Sequence, residues 1–217
     1  MQFEEEYNNK YRNISIILFV LFELMLSFSM KILKMINNQF LIDNANFITY
    51  LILFIIFLIV YRKLIIESIK KIDVKNFKYL GIYLLATIIS MVIIAIVIDK
   101  LGIVNINETK ELGANKILNF IAAVIFGTFV EELLFRYFIF REILKINKIF
   151  AHIFTAFIFG FSHIWYYVLI QGDYTQLVSS LVYVALGLNL SLLYSKTKNI
   201  CLPLLLHITI NFIAFMN

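Results

Sequence analysis

Apolar residues recur along this chain in runs of about 20, each closed by a short polar or basic stretch, and a run of that length is what a helix needs to cross a bilayer. The first runs from about Ile14 to Met30 and continues as a more polar segment to Ile36. The second, about Phe47 to Tyr61, is short for a span, and the third covers about Tyr79 to Ile98. A fourth starts near Ile117, a fifth covers Ile149 to Ile170, a sixth Leu177 to Tyr194, and a seventh begins at Ile200. The pattern therefore predicts an all-α, polytopic membrane bundle of about seven helices, forming a single integral membrane domain over residues 1–217. Residues 1–100 supply its N-terminal helices.

Between the runs, RKLIIESIKKIDVKNFK spaces Leu64, Ile65, Ile69 and Ile72 as an amphipathic helix lying on anionic headgroups would. YFIFREILKINK, after the fourth run, mixes aromatic, basic and apolar residues as an interfacial segment does. Trp165, Tyr166 and Tyr167 close the fifth run as an aromatic belt of membrane anchors. The opening MQFEEEYNNKYRN lacks a signal peptide's basic start and cleavage site, so the first run reads as a retained membrane helix.

Composition supports the membrane class: 62% of the 217 residues are hydrophobic, more than a soluble domain of this size needs. The net charge of +5 is not a nucleic-acid signal, because Lys and Arg gather in the connections. With Arg136 left out as intramembrane, thirteen fall at the amino terminus and in the second, fourth and sixth connections, against five on the other side. That asymmetry places the amino terminus in the cytoplasm of a cell membrane. The polar connection DKLGIVNINETKELGANK then faces outward. The lone Cys201 excludes an intrachain disulfide and reads as a small buried side chain.

Against this background FVEELLFRYF, Phe129 to Phe138, stands out: two carboxylates and a guanidinium inside an apolar helix. Each such group costs about 2.5 to 3.5 kcal/mol in hydrocarbon by insertion scales, which makes the cluster a functional candidate. Helical spacing puts Glu132 and Arg136 on one face and turns Glu131 away, so arginine neutralises Glu132 and leaves Glu131 unpaired. Gly127 and Ala123, on Glu131's face, let a neighbouring helix approach closely. The competing reading is a structural ion pair with an inert Glu131. Glu23, in the first span, has no partner at helical spacing and reads as a carboxyl turned toward the bundle.

Later spans add Phe159 and His163 on one face of the fifth, with Ala156 and Gly160 making room, and His207 and Asn211 four apart in the seventh. Each alone is more simply interhelical hydrogen bonding. Together, carboxylates, two imidazoles and an amide on three helices are the parts of a hydrolase. His152 lies about 16 Å from His163 along the same helix, too far for the same site, and reads as interfacial. On depth, the spacing predicts a site opening from the cytoplasmic half.

The three ordered motifs, EExxxR at Glu131 to Arg136, FxxxH at Phe159 to His163 and HxxxN at His207 to Asn211, resemble those of the CaaX protease and bacteriocin-processing (Abi) intramembrane protease family, in particular its type II CaaX prenyl endopeptidase-like members. The resemblance covers residues 114–217 and implies a four-helix catalytic core there. It implies that Glu131 activates water for attack on a peptide carbonyl, assisted by His163, while His207 and Asn211 hold the oxyanion, Glu132 supports the site and Arg136 orients it.

It also implies membrane lipids and a hydrophobic or lipidated peptide as partners. Two His and one Glu (Glu131, His163, His207) are a legitimate zinc set, but the residues equally suffice for a glutamate mechanism with no required cofactor, and no HExxH occurs. The alternative function is a non-catalytic immunity or binding protein that recognises a bacteriocin or toxin on the same fold. A proton-coupled transporter fits less well, since neither inverted repeats nor paired broken helices are seen. The oligomeric state is not legible.

Overall fold

The computed structural model describes residues 9–103 and 115–216 and is all-helical there, without strands. Seven principal helices follow the seven apolar runs: α1 (Asn9–Ile36), α2 (Ala45–Lys70), α3 (Phe77–Lys100), α4 (Lys116–Leu144), α5 (Lys148–Ser162), α6 (Leu181–Thr197) and α7 (Cys201–Met216). Short helices at Gln39–Asp43, Trp165–Leu169 and Gln176–Ser179 join them. Five segments are long and apolar enough to cross a bilayer, those built on α1, α2, α3, α4 and α6, and the chain is an integral membrane protein. With 15 and 16 residues, α5 and α7 extend only about 22 to 24 Å at 1.5 Å per residue, short of a hydrocarbon core of about 30 Å.

The connection 104–114, most of the polar loop expected to face outward, lies outside the described residues, as does the acidic start of the chain. Three sequence expectations change. The basic stretch after Tyr61 is not a separate helix: α2 continues through it to Lys70, with Arg62, Lys63, Ile66 and Ile69 exposed. Leu64 and Ile65 pack against the core, and Asn199 donates to the Ser68 carbonyl at 2.7 Å, which holds this end of α2 to the turn between α6 and α7. YFIFREILKINK likewise continues a longer helix, α4, as far as Leu144, and Lys145 to Lys148 after it are exposed. Tyr137 and Phe140 are buried core, and the Arg141 guanidinium lies 4.7 Å from the Tyr137 ring centroid.

The third change concerns the fifth run. Instead of one helix to Ile170, α5 stops at Ser162 because local hydrogen bonds close its last turn. The Ser162 hydroxyl and His163 Nδ1 both reach the Phe159 carbonyl, at 2.8 Å each. They satisfy a carbonyl that the helix end would otherwise orphan. The chain bends at His163 and restarts at Trp165.

In α4, 56% of the apolar window is buried, against 11% in α3, so α4 is the central pillar and α3 faces lipid over most of its surface. α4 meets α2 on one side and α7 on another, and α6 packs between α5, α3 and α7. Glycine sets the closest approach. A Cβ on Gly160 of α5 would stand 2.4 Å from Val184 Cγ2 and 3.1 Å from the Ser180 carbonyl oxygen, so α6 can seat here only against a bare backbone. Gly127 does the same for Tyr50 of α2, whose Cε1 would lie 3.2 Å from an added Cβ. This is the close neighbour expected beside Glu131. Cys201 is half-buried at the start of α7.

Candidate active site

The site begins with a departure from regular helix in α4. Residues Ile121–Gly127 and Leu133–Phe140 are π-helical, flanking an α-helical turn at Thr128–Glu132. The i→i+5 pattern appears in the side chains too: the Thr128 hydroxyl donates to the carbonyl of Ala123, five residues back, at 3.1 Å. Such wide turns are frequent at functional sites. Here they flank the turn that carries both glutamates.

Glu132 and Arg136 meet as their spacing requires, with Arg136 Nε 3.2 Å from Glu132 Oε2. Both are fully buried. The other carboxylate oxygen, Oε1, lies 2.8 Å from Nδ1 of His207 on α7, which is itself 1% exposed. A carboxylate only accepts, so Nδ1 carries the proton and donates. Contact with the carboxylate at 3.2 Å is an ion pair rather than an aligned hydrogen bond, and neither Nη1 nor Nη2 has a hydrogen-bond partner among the described residues. The guanidinium instead lies against aromatic faces, 4.7 Å from the Phe159 centroid and 6.0 Å from that of Phe135. Phe159 stands edge-on to Phe135 at 5.1 Å and 5.6 Å from the His207 ring. Its role is packing: it is the wall on which arginine and both histidines rest.

Glu131 has a different environment. Its side chain is 14% exposed, and Oε2 lies 3.8 Å from His207 Nε2. The sequence expectation of an unpaired acid is thereby corrected: Glu131 does not pair with Arg136, but it faces the second nitrogen of the imidazole that Glu132 holds. His207 bridges the two acids. His163 is fixed by its Nδ1 contact with the Phe159 carbonyl and by stacking on Tyr183, ring centroids 4.3 Å apart. A carbonyl accepts only, so Nδ1 carries the proton and Nε2 is left with its lone pair. Asn211, one turn beyond His207, donates from Nδ2 to the Thr128 hydroxyl at 2.9 Å.

A cleft of about 460 Å³ opens onto Glu131 and His163. Its walls come from α1 (Glu23), the start of α2 (Asn46, Tyr50) and the segment after α5 (Trp165, Tyr166). Asn46 and Tyr50 open α2 and Trp165 follows α5, at the ends of those helices away from the basic connections, while Glu23 stands midway along α1. The expected opening toward the basic, cytoplasmic half is therefore corrected. α5 ends at Ser162, so His163 stands at the far end of its helix and the chain just beyond it forms a wall of the cleft. Trp165 and Tyr166 line the cleft, beyond the anchoring expected of them.

His152 is neither in the site nor interfacial. It is 7% exposed, bonds Ser191 Oγ through Nδ1 at 2.9 Å and packs against Phe140 at 4.8 Å, a tie between α5 and α6. Thr128, Tyr183 and the α1 and α2 cleft walls escaped the sequence reading. Glu23 alone carried a signal, an acid in an apolar span. Among the described residues no three His, Cys, Asp or Glu side chains gather as a metal set.

Residues 113–213 match the model of the family described as type II CAAX prenyl endopeptidase Rce1-like, in line with the resemblance drawn from the motifs, all three of which fall inside the match. No curated protein and no solved structure matches the chain.

Proposed function

We propose that this integral membrane protein, whose residues 113–213 carry the Rce1-like pattern of CAAX-type proteases, is an endopeptidase that cuts a hydrophobic or lipid-linked peptide within the membrane by a glutamate-activated water. The observation that carries this reading is the division between adjacent acids: Glu132 is sealed with Arg136 and His207, while Glu131 borders an open cleft.

In this scheme Glu131 takes a proton from a cleft water whose other hydrogen is held by the free Nε2 of His163. The water oxygen attacks the peptide carbonyl carbon. His207 donates from Nε2, and Asn211 from the second hydrogen of its amide, to the oxygen that becomes negative. His207 stands between the two carboxylates, with Nδ1 2.8 Å from Glu132 Oε1 and Nε2 3.8 Å from Glu131 Oε2. Glu131 then passes its proton to the amide nitrogen, and the C–N bond breaks to give an amine and a carboxylic acid, which loses its proton to that amine. No step calls on a metal. The test is cleavage of a hydrophobic peptide by the purified protein in liposomes, with and without chelator. His163→Ala and His207→Ala should each slow it by about 10²- to 10⁴-fold, and chelator should leave the wild-type rate unchanged. Full activity in both variants overturns the site, and zinc-restored chelator sensitivity overturns the metal-free scheme.

The Lys and Arg asymmetry that puts the basic face in the cytoplasm then opens the cleft on the opposite side of the membrane. In a Cys201→Ala background, an impermeant maleimide applied to intact cells should label Tyr166→Cys at the cleft mouth and spare Ile146→Cys in the exposed basic turn. The reverse labelling pattern rejects this orientation.

A further inference from the structure

We infer that the cleft selects a peptide carrying a lysine or arginine side chain beside the scissile bond, and that Glu23 is the residue that selects it. The inference rests on the cleft being the peptide-cleaving site and adds the charge of the substrate.

Glu23 lies inside the apolar window Tyr11–Ser29 of α1, where a carboxylate is costly. Among the described residues it makes no ion pair or hydrogen bond, and its side chain lines the same cleft as Glu131. A carboxyl merely turned toward the bundle for structural reasons should have found a donor there, as Glu132 and His152 have.

The rest of the wall points to the same ligand charge. It carries two carboxylates and no Lys or Arg. The nearest base along α1, Lys31, is exposed and lies over the Phe28 ring at 5.6 Å. Tyr50, Trp165, Tyr166 and Tyr167 offer aromatic rings, which attract cations and accept the alkyl stem of a long basic side chain. An anionic residue would meet uncompensated like charge. A neutral one would leave Glu23 desolvated without a partner, so both are disfavoured relative to Lys or Arg.

The experiment uses a hydrophobic host peptide in which one lysine, or norleucine as its uncharged equivalent, is stepped along the sequence. Wild-type protein in liposomes should cleave the best lysine peptide with a kcat/KM about tenfold above its norleucine counterpart. Glu23→Gln should bring that ratio close to one, through a higher KM for the lysine peptide and a lower KM for the norleucine peptide. Glu23→Lys should reverse the preference toward a glutamate-bearing peptide. A lysine preference that survives in Glu23→Gln overturns the inference.

A second arm separates this outcome from failure of the protease reading. Binding of the same labelled peptides is measured on Glu131→Gln protein with and without Glu23→Gln. A lysine preference that Glu23→Gln removes supports the subsite even if no peptide is cut. Equal binding of both peptides to Glu131→Gln protein overturns it.

Discussion

Glu131→Gln is expected to reduce peptide cleavage by about a thousandfold or more, the range for loss of an essential general base, while the protein stays folded. The substitution keeps the length and planarity of the side chain and removes only its ability to take a proton. Its neighbours explain the intact fold. Glu131 is partly exposed in the cleft, and the buried guanidinium keeps its own partner in Glu132. Cleavage in liposomes gives the rate, and thermal unfolding in detergent checks the fold. Activity within tenfold of wild type would remove Glu131 from the chemistry. A different result separates the alternative function: if a host protected from a toxin peptide by the wild type is equally protected by Glu131→Gln, recognition rather than hydrolysis is what the cleft supplies.

The membrane class and helix order were legible because hydrocarbon imposes one rule on the whole chain: backbone polar groups must be satisfied within each segment, so apolar runs become helices. The pairing of Glu132 with Arg136 was legible for a similar reason, since spacing of four survives even a locally widened helix. What sequence spacing could not carry is where a helix stops for a side-chain reason. His163 and Ser162 end α5 by capping the Phe159 carbonyl, inside a run whose hydropathy continues to Ile170. The cleft wall at Trp165 and Tyr166 exists because of that one break. The contact between Glu131 and His207 was illegible for another reason. It joins residues 76 apart in sequence, and nothing in either helix fixes the azimuth at which they face. Glu23 was visible as an acid in an apolar span, but its meaning depended on seeing that α1 borders the cleft.

The second large effect concerns stability. Glu132→Leu is expected to destabilise the protein by about 3 to 5 kcal/mol, the cost of leaving a buried charge without its partner. Arg136 is fully buried, its Nη atoms have no hydrogen-bond partner among the described residues, and the Glu132 carboxylate is the counter-charge it touches. Aromatic contact with Phe159, worth about 2 kcal/mol when desolvated, does not offset that loss. Replacing both ends, Glu132→Leu with Arg136→Met, should recover most of the stability, because well-packed apolar residues often substitute for a buried ion pair at little cost. Activity should not recover with it. His207 Nδ1 loses its acceptor in the double variant, so the ring is no longer held with Nε2 toward Glu131 and the attacked carbonyl. Equilibrium unfolding in mixed detergent micelles, beside the liposome cleavage assay, reads the two effects separately. If Glu132→Leu unfolds like the wild type, the ion pair is not what holds α4 together at the site. If the double variant regains cleavage along with stability, Glu132 acts only by neutralising Arg136 and has no part in setting His207.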